Sequence, residues 1–208
     1  MHHFESLIHR YGVDIAALQE VCRRDDTPSL PSSTLFEHSR MAENFRLADR
    51  RCGVATYSKL PILKAAPYLS GVKELGFATR KSALLTLHRL PDGDTLALLN
   101  VHAVNFVPTR HFALEMARLA EWIERHAHLP MIAAGDFNTW NRRRERVLLK
   151  LMSRYGLRSV QAPGRHIKSL LGRPLDHIFY RGLTLLETDV PNLPVSDHNP
   201  IVARFLSS

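Results

Sequence analysis

The sequence predicts a mixed α/β domain in which antiparallel strand pairs are interleaved with helices. Short apolar runs of strand length alternate with longer stretches whose apolar residues recur at helical spacing. An Asp92-Gly93 turn joins two of those runs as a β-hairpin. No Pro/Gly/Ser-rich linker or shift of composition divides the 208 residues, so residues 1–208 read as a single domain.

Phe4, Leu7, Ile8 and Tyr11 fall at helical spacing, and Gly12 ends that first helix. A strand follows from Val13 to Leu18 and runs into Gln19-Glu20. Residues 23 to 50 are polar, and Pro28 and Pro31 make them a predicted surface loop. Strands are expected over 52–57 and 83–90, then, after the Asp92-Gly93 turn, over 96–104, the last carrying Asn100 and His102. Phe112, Leu114, Met116, Leu119, Trp122 and Ile123 mark a helix over 110–126. The apolar run Met131-Ile132-Ala133-Ala134 is a strand that ends in GDFNTWNRRR, residues 135–144, and a further helix is expected over 142–155. Short strands at 177–180 and 201–205 are preceded by Leu175-Asp176 and by Ser196-Asp197-His198-Asn199-Pro200.

Composition narrows the functional classes. Hydrophobic residues make up 45% of the chain, in the globular range, and no apolar run approaches the ~20 residues of a membrane-spanning helix. The amino-terminal MHHFESLIHR lacks the apolar stretch of a secretory signal, so a cytoplasmic location is expected. Cys22 and Cys52 lack metal-type spacing; two structural thiols are expected, with a disulfide as the alternative. The formal charge of +8 favours phosphate-rich partners. Arg142, Arg143, Arg144, Arg146, Lys150, Arg154 and Arg158 concentrate it locally, as a solvated helix face or as a polyanion contact.

Most telling is where polar residues interrupt the apolar pattern. Glu20, His102, Asp136 with Asn138, Asp176, and Asp197 with His198 each sit at or near the end of an apolar strand. One such residue is usually a cap or a turn former. Five coincidences indicate a shared rim, and strand alternation puts Asp136 and Asn138 on one face of it.

The segments LQE at 18–20, NVHAVNF at 100–106, GDFN at 135–138, LDHIF at 175–179 and SDHNP at 196–200 resemble, in order and separation, the endonuclease/exonuclease/phosphatase superfamily. That group contains deoxyribonuclease I, AP endonucleases, neutral sphingomyelinases and inositol polyphosphate 5-phosphatases. NVHAVNF, GDFNTWNRRR and GRPLDHIFYRGL are most similar to its bacterial YafD-like branch. The resemblance implies a four-layer α/β sandwich of two packed mixed β-sheets flanked by helices, and phosphoester hydrolysis with Mg2+, or Mn2+ in its place. It implies Glu20 and Asp197 as metal ligands, Asp136 orienting the attacking water, Asn138 holding a phosphate oxygen, and His198 as base or positive contact, oriented by Asp176. His102 matches a histidine of the deoxyribonuclease and sphingomyelinase branches.

The chemistry agrees with those roles. Magnesium prefers oxygen ligands and takes one or two protein carboxylates, and histidine titrates near working pH. One departure stands out: the family's first strand, with its T-W-N-like segment, has no counterpart before Val13, which predicts an unpaired internal sheet edge and a weakened metal site. The expected function is a divalent-metal-dependent phosphodiester hydrolase, a nuclease on DNA or RNA, with Asn138, Arg142, Arg143 and Arg144 binding substrate phosphate. A phosphomonoesterase or phospholipid phosphodiesterase is the alternative, and a catalytically impaired nucleic-acid-binding protein the third reading. No protein partner is implied.

Overall fold

The computed structural model describes residues 2–24, 35–73, 80–162, 168–170, 172–193 and 196–207. The elements in chain order are α1 (His2–Tyr11), β1 (Ile15–Arg24), β2 (His38–Leu47), β3 (Arg50–Ser58), β4 (Ile62–Lys73), β5 (Arg80–Arg89), β6 (Thr95–His102), α2 (Thr109–Arg125), β7 (Met131–Asp136), α3 (Arg142–Arg154), the two-residue strands β8 (Arg158–Ser159), β9 (Ser169–Leu170) and β10 (Arg173–Pro174), then β11 (Asp176–Arg181), β12 (Leu183–Asp189) and β13 (Val202–Ser207).

Strand alternation builds the layers. Along β5, Ala83 and Leu85 join Leu99 and Val101 of β6 and Met131 and Ala133 of β7 in the core beneath α2 and α3, which contribute Phe112, Met116, Leu119, Ile123, Leu148 and Met152. The intervening Leu84 turns the other way and packs on Val54 of β3 and Ala42 of β2. Ala55 and Tyr57 of β3 face away again, under Leu7 and Ile8 of α1. The order is therefore helices, six-stranded sheet β4-β5-β6-β7-β11-β8, three-stranded sheet β1-β3-β2, helix, with β12-β13 as a separate antiparallel pair. This is the expected α/β sandwich with mixed and antiparallel sheets; β6 and β7 run parallel and the other long pairs antiparallel.

The loop expected over residues 23–50 is corrected in part: residues 38–47 are strand β2, whereas Pro28 and Pro31 lie outside the described residues. Only Ala42 of that strand is buried, so it carries no apolar alternation to read. β4 and β12 were likewise not legible in the sequence.

Among the described residues, no strand pairs with β1 on the side opposite β3, nor with β13 on the side opposite β12. The expected open edge is present. Consecutive residues 15–22 of β1 and 202–205 of β13 line one cavity of about 1490 Å³, floored by Leu96, Leu98, Ile132, Ala134 and Ile178. Consecutive rather than alternate residues line it because it is the backbone edge of each strand that faces the space.

The two-thiol expectation is overturned: Cys22 and Cys52 form a disulfide. They are direct cross-strand partners in the β1/β3 register, a pairing invisible until the register is known. Closing a loop of 30 residues stabilises the fold by roughly 3–4 kcal/mol. Replacing both cysteines by serine is expected to lower the unfolding free energy measured in urea by that much in non-reducing buffer, and dithiothreitol should then have no further effect on the variant.

Candidate active site

Strand register assembles the centre. His102 of β6 lies beside Asp136 of β7, and Asp136 lies opposite Asp176 of β11, so the three form one row across the six-stranded sheet. All three are in phase with the face turned toward the second sheet, where Leu84 also points. Gly135 is required behind the row: a Cβ there would lie 2.0 Å from the Val101 carbonyl oxygen, and its φ is +140°.

Of the three non-glycine residues with positive φ among the described residues, Glu20 at 55° and Asn138 at 51° carry predicted functions, and the third, Ala48 at 51°, lies in the turn between β2 and β3. Such strain clusters where side-chain placement matters more than backbone comfort. Asn138 caps the end of β7: its backbone N–H donates to Asp136 Oδ1 at 2.8 Å and its amide donates to the Ala103 carbonyl at 2.9 Å. Glu20 sits in a bulge between Leu18 and Val21. Buried Asn100 fixes that bulge by donating to the Leu18 carbonyl at 3.2 Å and the Ala55 carbonyl at 3.0 Å, while Gln19 donates to Asn100 Oδ1 at 2.7 Å.

The side chains then run as a chain of contacts. Glu20 Oε1 is 3.8 Å from His102 Nε2 and 4.0 Å from Lys81 Nζ, and Lys81 Nζ is 2.9 Å from the same His102 nitrogen. His102 Nε2 is 3.7 Å from Asp136 Oδ2. His198 Nδ1 bonds Asp176 Oδ2 at 2.6 Å, its Nε2 is 4.0 Å from Asp197 Oδ2, and Lys168 reaches that oxygen at 3.2 Å. Glu20, His102, Asp136, Asn138, Asp176, Asp197 and His198 all line the single cavity between the open edges.

Environment sets their protonation. Burial, reinforced by the neighbouring Asp176 carboxylate, pushes Asp136 up to about 6. Burial, then Lys81, pushes His102 down to about 3. It is therefore neutral, and with the Lys81 ammonium donating to Nε2 its proton belongs on Nδ1. The hydrogen bond to Asp176 raises His198, and Lys168 holds Asp197 below the usual carboxylate range.

The arginine expectation is corrected. Arg144 has 0% of its surface exposed and its guanidinium bonds the carbonyls of Val104, Asn105, Val107 and Asn138, so it is not free to hold a phosphate. Arg142 and Arg143 are exposed in the first turn of α3, outside the cavity lining. Among the described residues, the lysine and arginine residues that line the cavity are Lys81, Lys168 and Arg204. The Lys81 side chain is only 16% exposed; no sequence signal distinguishes a lysine at a strand start that turns inward.

A hard divalent cation fits these residues. Glu20 and Asp197 are 76% and 78% exposed, oxygen-bearing and presented into the cavity. Among the described residues no three His, Cys, Asp or Glu side chains enclose a metal by themselves. An ion that keeps several waters and adds substrate oxygens needs no such cage.

The family model for the Endonuclease/Exonuclease/phosphatase family matches residues 1–198. A UPF0294 protein of Vibrio parahaemolyticus is 36% identical over 169 residues, and one of Vibrio campbellii is 34% identical; each match covers 80% of this chain and 59% of the relative. The chain thus spans about three fifths of the length of those curated relatives, which support the bacterial branch. Among solved structures, an endonuclease/exonuclease/phosphatase from Beutenbergia cavernae superposes with TM-score 0.79 at 15% identity, covering 98% of this chain and 65% of that one. The human Nocturnin catalytic domain with bound sulfate gives 0.72 at 18% identity, covering 99% and 85%, and ANGEL2, a 2',3'-cyclic phosphatase, gives 0.75 at 16%, covering 99% and 84%.

Proposed function

The chain belongs to the endonuclease/exonuclease/phosphatase family, whose members hydrolyse phosphoesters, and from that premise we propose that it is a divalent-metal-dependent phosphodiester hydrolase acting on nucleic acid. The observation that carries the reading is the row His102, Asp136, Asp176 in register across one sheet, with His198 bonded to Asp176, Glu20 3.8 Å from His102 and Asp197 4.0 Å from His198, all lining one cavity.

Asp136 is suited to take a proton from water: a carboxyl pushed up to about 6 is a far better acceptor near neutral pH than an ordinary one. The Asn138 backbone N–H holds its Oδ1 and leaves Oδ2 for the water. His198, favoured in its charged form by Asp176, supplies positive charge to a phosphoryl oxygen or a proton to the leaving oxygen. Its raised value favours the positive contact over the base. Mg2+, held by Glu20 and Asp197, supplies neutralisation of developing charge when bound. Lys81 and Lys168, with the net charge of +8, support a polyanionic substrate.

The test is cleavage of plasmid DNA and labelled single-stranded RNA with Mg2+, Mn2+ or EDTA, with Asp136→Ala as control. Metal-dependent cleavage that falls steeply with salt and vanishes in the variant is expected. Turnover of small phosphate esters or lipids with flat salt dependence and no polymer cleavage overturns the nuclease reading in favour of a phosphomonoesterase or phospholipid phosphodiesterase. Retained DNA binding without turnover under any divalent ion identifies an impaired binding protein. No helix among the described residues is long and apolar enough to cross a membrane. The Cys22–Cys52 disulfide weighs against the expected cytoplasmic location, because such bonds persist in oxidising compartments.

A further inference from the structure

Phe106 stands on the rim of the catalytic cavity, four positions beyond His102, with 59% of its surface exposed. An isolated exposed phenylalanine is ordinary. What distinguishes this one is how its backbone is held. Val107 N–H donates to the Asn105 carbonyl at 2.9 Å, a three-residue turn with Phe106 at its apex. Arg144 grips the carbonyls on both sides, Asn105 and Val107, and with its other terminal nitrogen those of Val104 and Asn138, each at 3.0 Å. The guanidinium is itself packed on the rings of Phe112 and Trp140, with centroids at 4.8 and 4.9 Å.

Val104 and Val107 are buried, so the segment hides its other apolar side chains and turns one ring outward. The same guanidinium fixes that turn relative to Asn138, which holds Asp136. A flat apolar face is thus locked at a set position beside the phosphate-processing groups before any substrate arrives, and a pre-ordered aromatic surface loses little entropy on binding. The chemistry that exploits it is a planar ring attached close to a phosphodiester. Nucleobases meet that description, and stacking combined with flanking cations such as Lys81 is how single-stranded nucleic acid is held without sequence preference.

We propose that Phe106 is a stacking platform for the base next to the scissile phosphate and selects nucleotidyl phosphodiesters over lipid and sugar phosphates. This rests on the reading of the site as a phosphodiesterase.

The test compares kcat/KM on thymidine 5'-(p-nitrophenyl phosphate) and on methyl p-nitrophenyl phosphate, which share a leaving group and carry a nucleoside or a methyl group as the other ester, for wild type and for Phe106→Ala, Phe106→Leu and Phe106→Trp. A second measurement compares binding of oligothymidylate and of an abasic oligomer of equal length in EDTA. Phe106→Ala is expected to lose roughly 5- to 150-fold on the thymidine ester and on oligothymidylate, with the methyl ester and the abasic oligomer changed less than about twofold, the size of a difference with no stacking contribution. Tryptophan should retain the preference and leucine should lose it. Equal losses on both esters, no loss, or full rescue by leucine overturns the proposal. If wild type hydrolyses neither ester, the phosphodiesterase reading fails separately, and the oligomer comparison still decides whether Phe106 stacks on bases.

Discussion

Asp136→Asn is expected to raise the melting temperature in EDTA at pH 8 while lowering hydrolysis by ~10²- to 10⁴-fold, the usual cost of losing a positioned proton acceptor. The wild-type carboxylate is ionised there inside a mostly buried site, beside Asp176. Displacement from 3.8 to about 6 means that the ionised group costs the fold roughly 3 kcal/mol. Between about pH 4 and 6 the folded chain binds more protons at this position than the unfolded chain, so its contribution to stability is fully present below about pH 4 and is lost as pH rises through about 6. Asparagine removes the penalty and keeps an oxygen to accept the Asn138 N–H. The gain, roughly 6–12 °C for a domain of this size, should therefore be complete above pH 6 and absent near pH 4. Mg2+ should shrink it by neutralising the wild-type charge. A lower melting temperature for the variant at pH 8 in EDTA would show that Asp136 is not under electrostatic strain.

Arg144→Met should be the most destabilising of the arginine substitutions. It leaves the carbonyls of Val104, Val107 and Asn138 without their donor, while the Asn105 carbonyl keeps the Val107 N–H. Buried groups left unpaired cost about 1–3 kcal/mol each, so a loss of at least roughly 3 kcal/mol is expected in urea unfolding. Lysine should rescue little, because one ammonium cannot span carbonyls that a planar fork reaches from two nitrogens. Arg142→Ala and Arg143→Ala, exposed in the same turn, should fall within about 0.5 kcal/mol of wild type. Were Arg144 a phosphate contact instead, its loss would spare stability and reduce the salt dependence of substrate binding.

Arg144 also marks where the sequence was legible and where it was misread. Three consecutive arginines look alike as a charge run, but Arg144, Leu148 and Met152 share one helical face, and all three are buried. That phase was available and points to a structural role. The row His102, Asp136 and Asp176 was readable because each member interrupts an apolar strand, so a two-residue period and a turn former suffice to locate it. β2 was not, since HSRMAENFRL buries only Ala42, nor was β4, where Pro67 interrupts the run on the sheet edge. The inward turn of Lys81 and the pairing of Cys22 with Cys52 depend on register between segments distant in sequence, which local pattern does not encode.

β1 carries Glu20 yet, among the described residues, pairs with a strand on one side alone, and Asp197 approaches from the segment leading into the other open edge. A ligand that meets both carboxylates therefore bridges two walls that no backbone ladder joins. Its occupancy and the spacing of those walls are reciprocally linked: whatever narrows the gap raises ligand affinity, and the ligand narrows the gap by the same factor. Amide exchange along β1 becomes a gauge of site occupancy, with protection in the Cys22 half set by the disulfide and protection around Glu20 tracking the ion concentration.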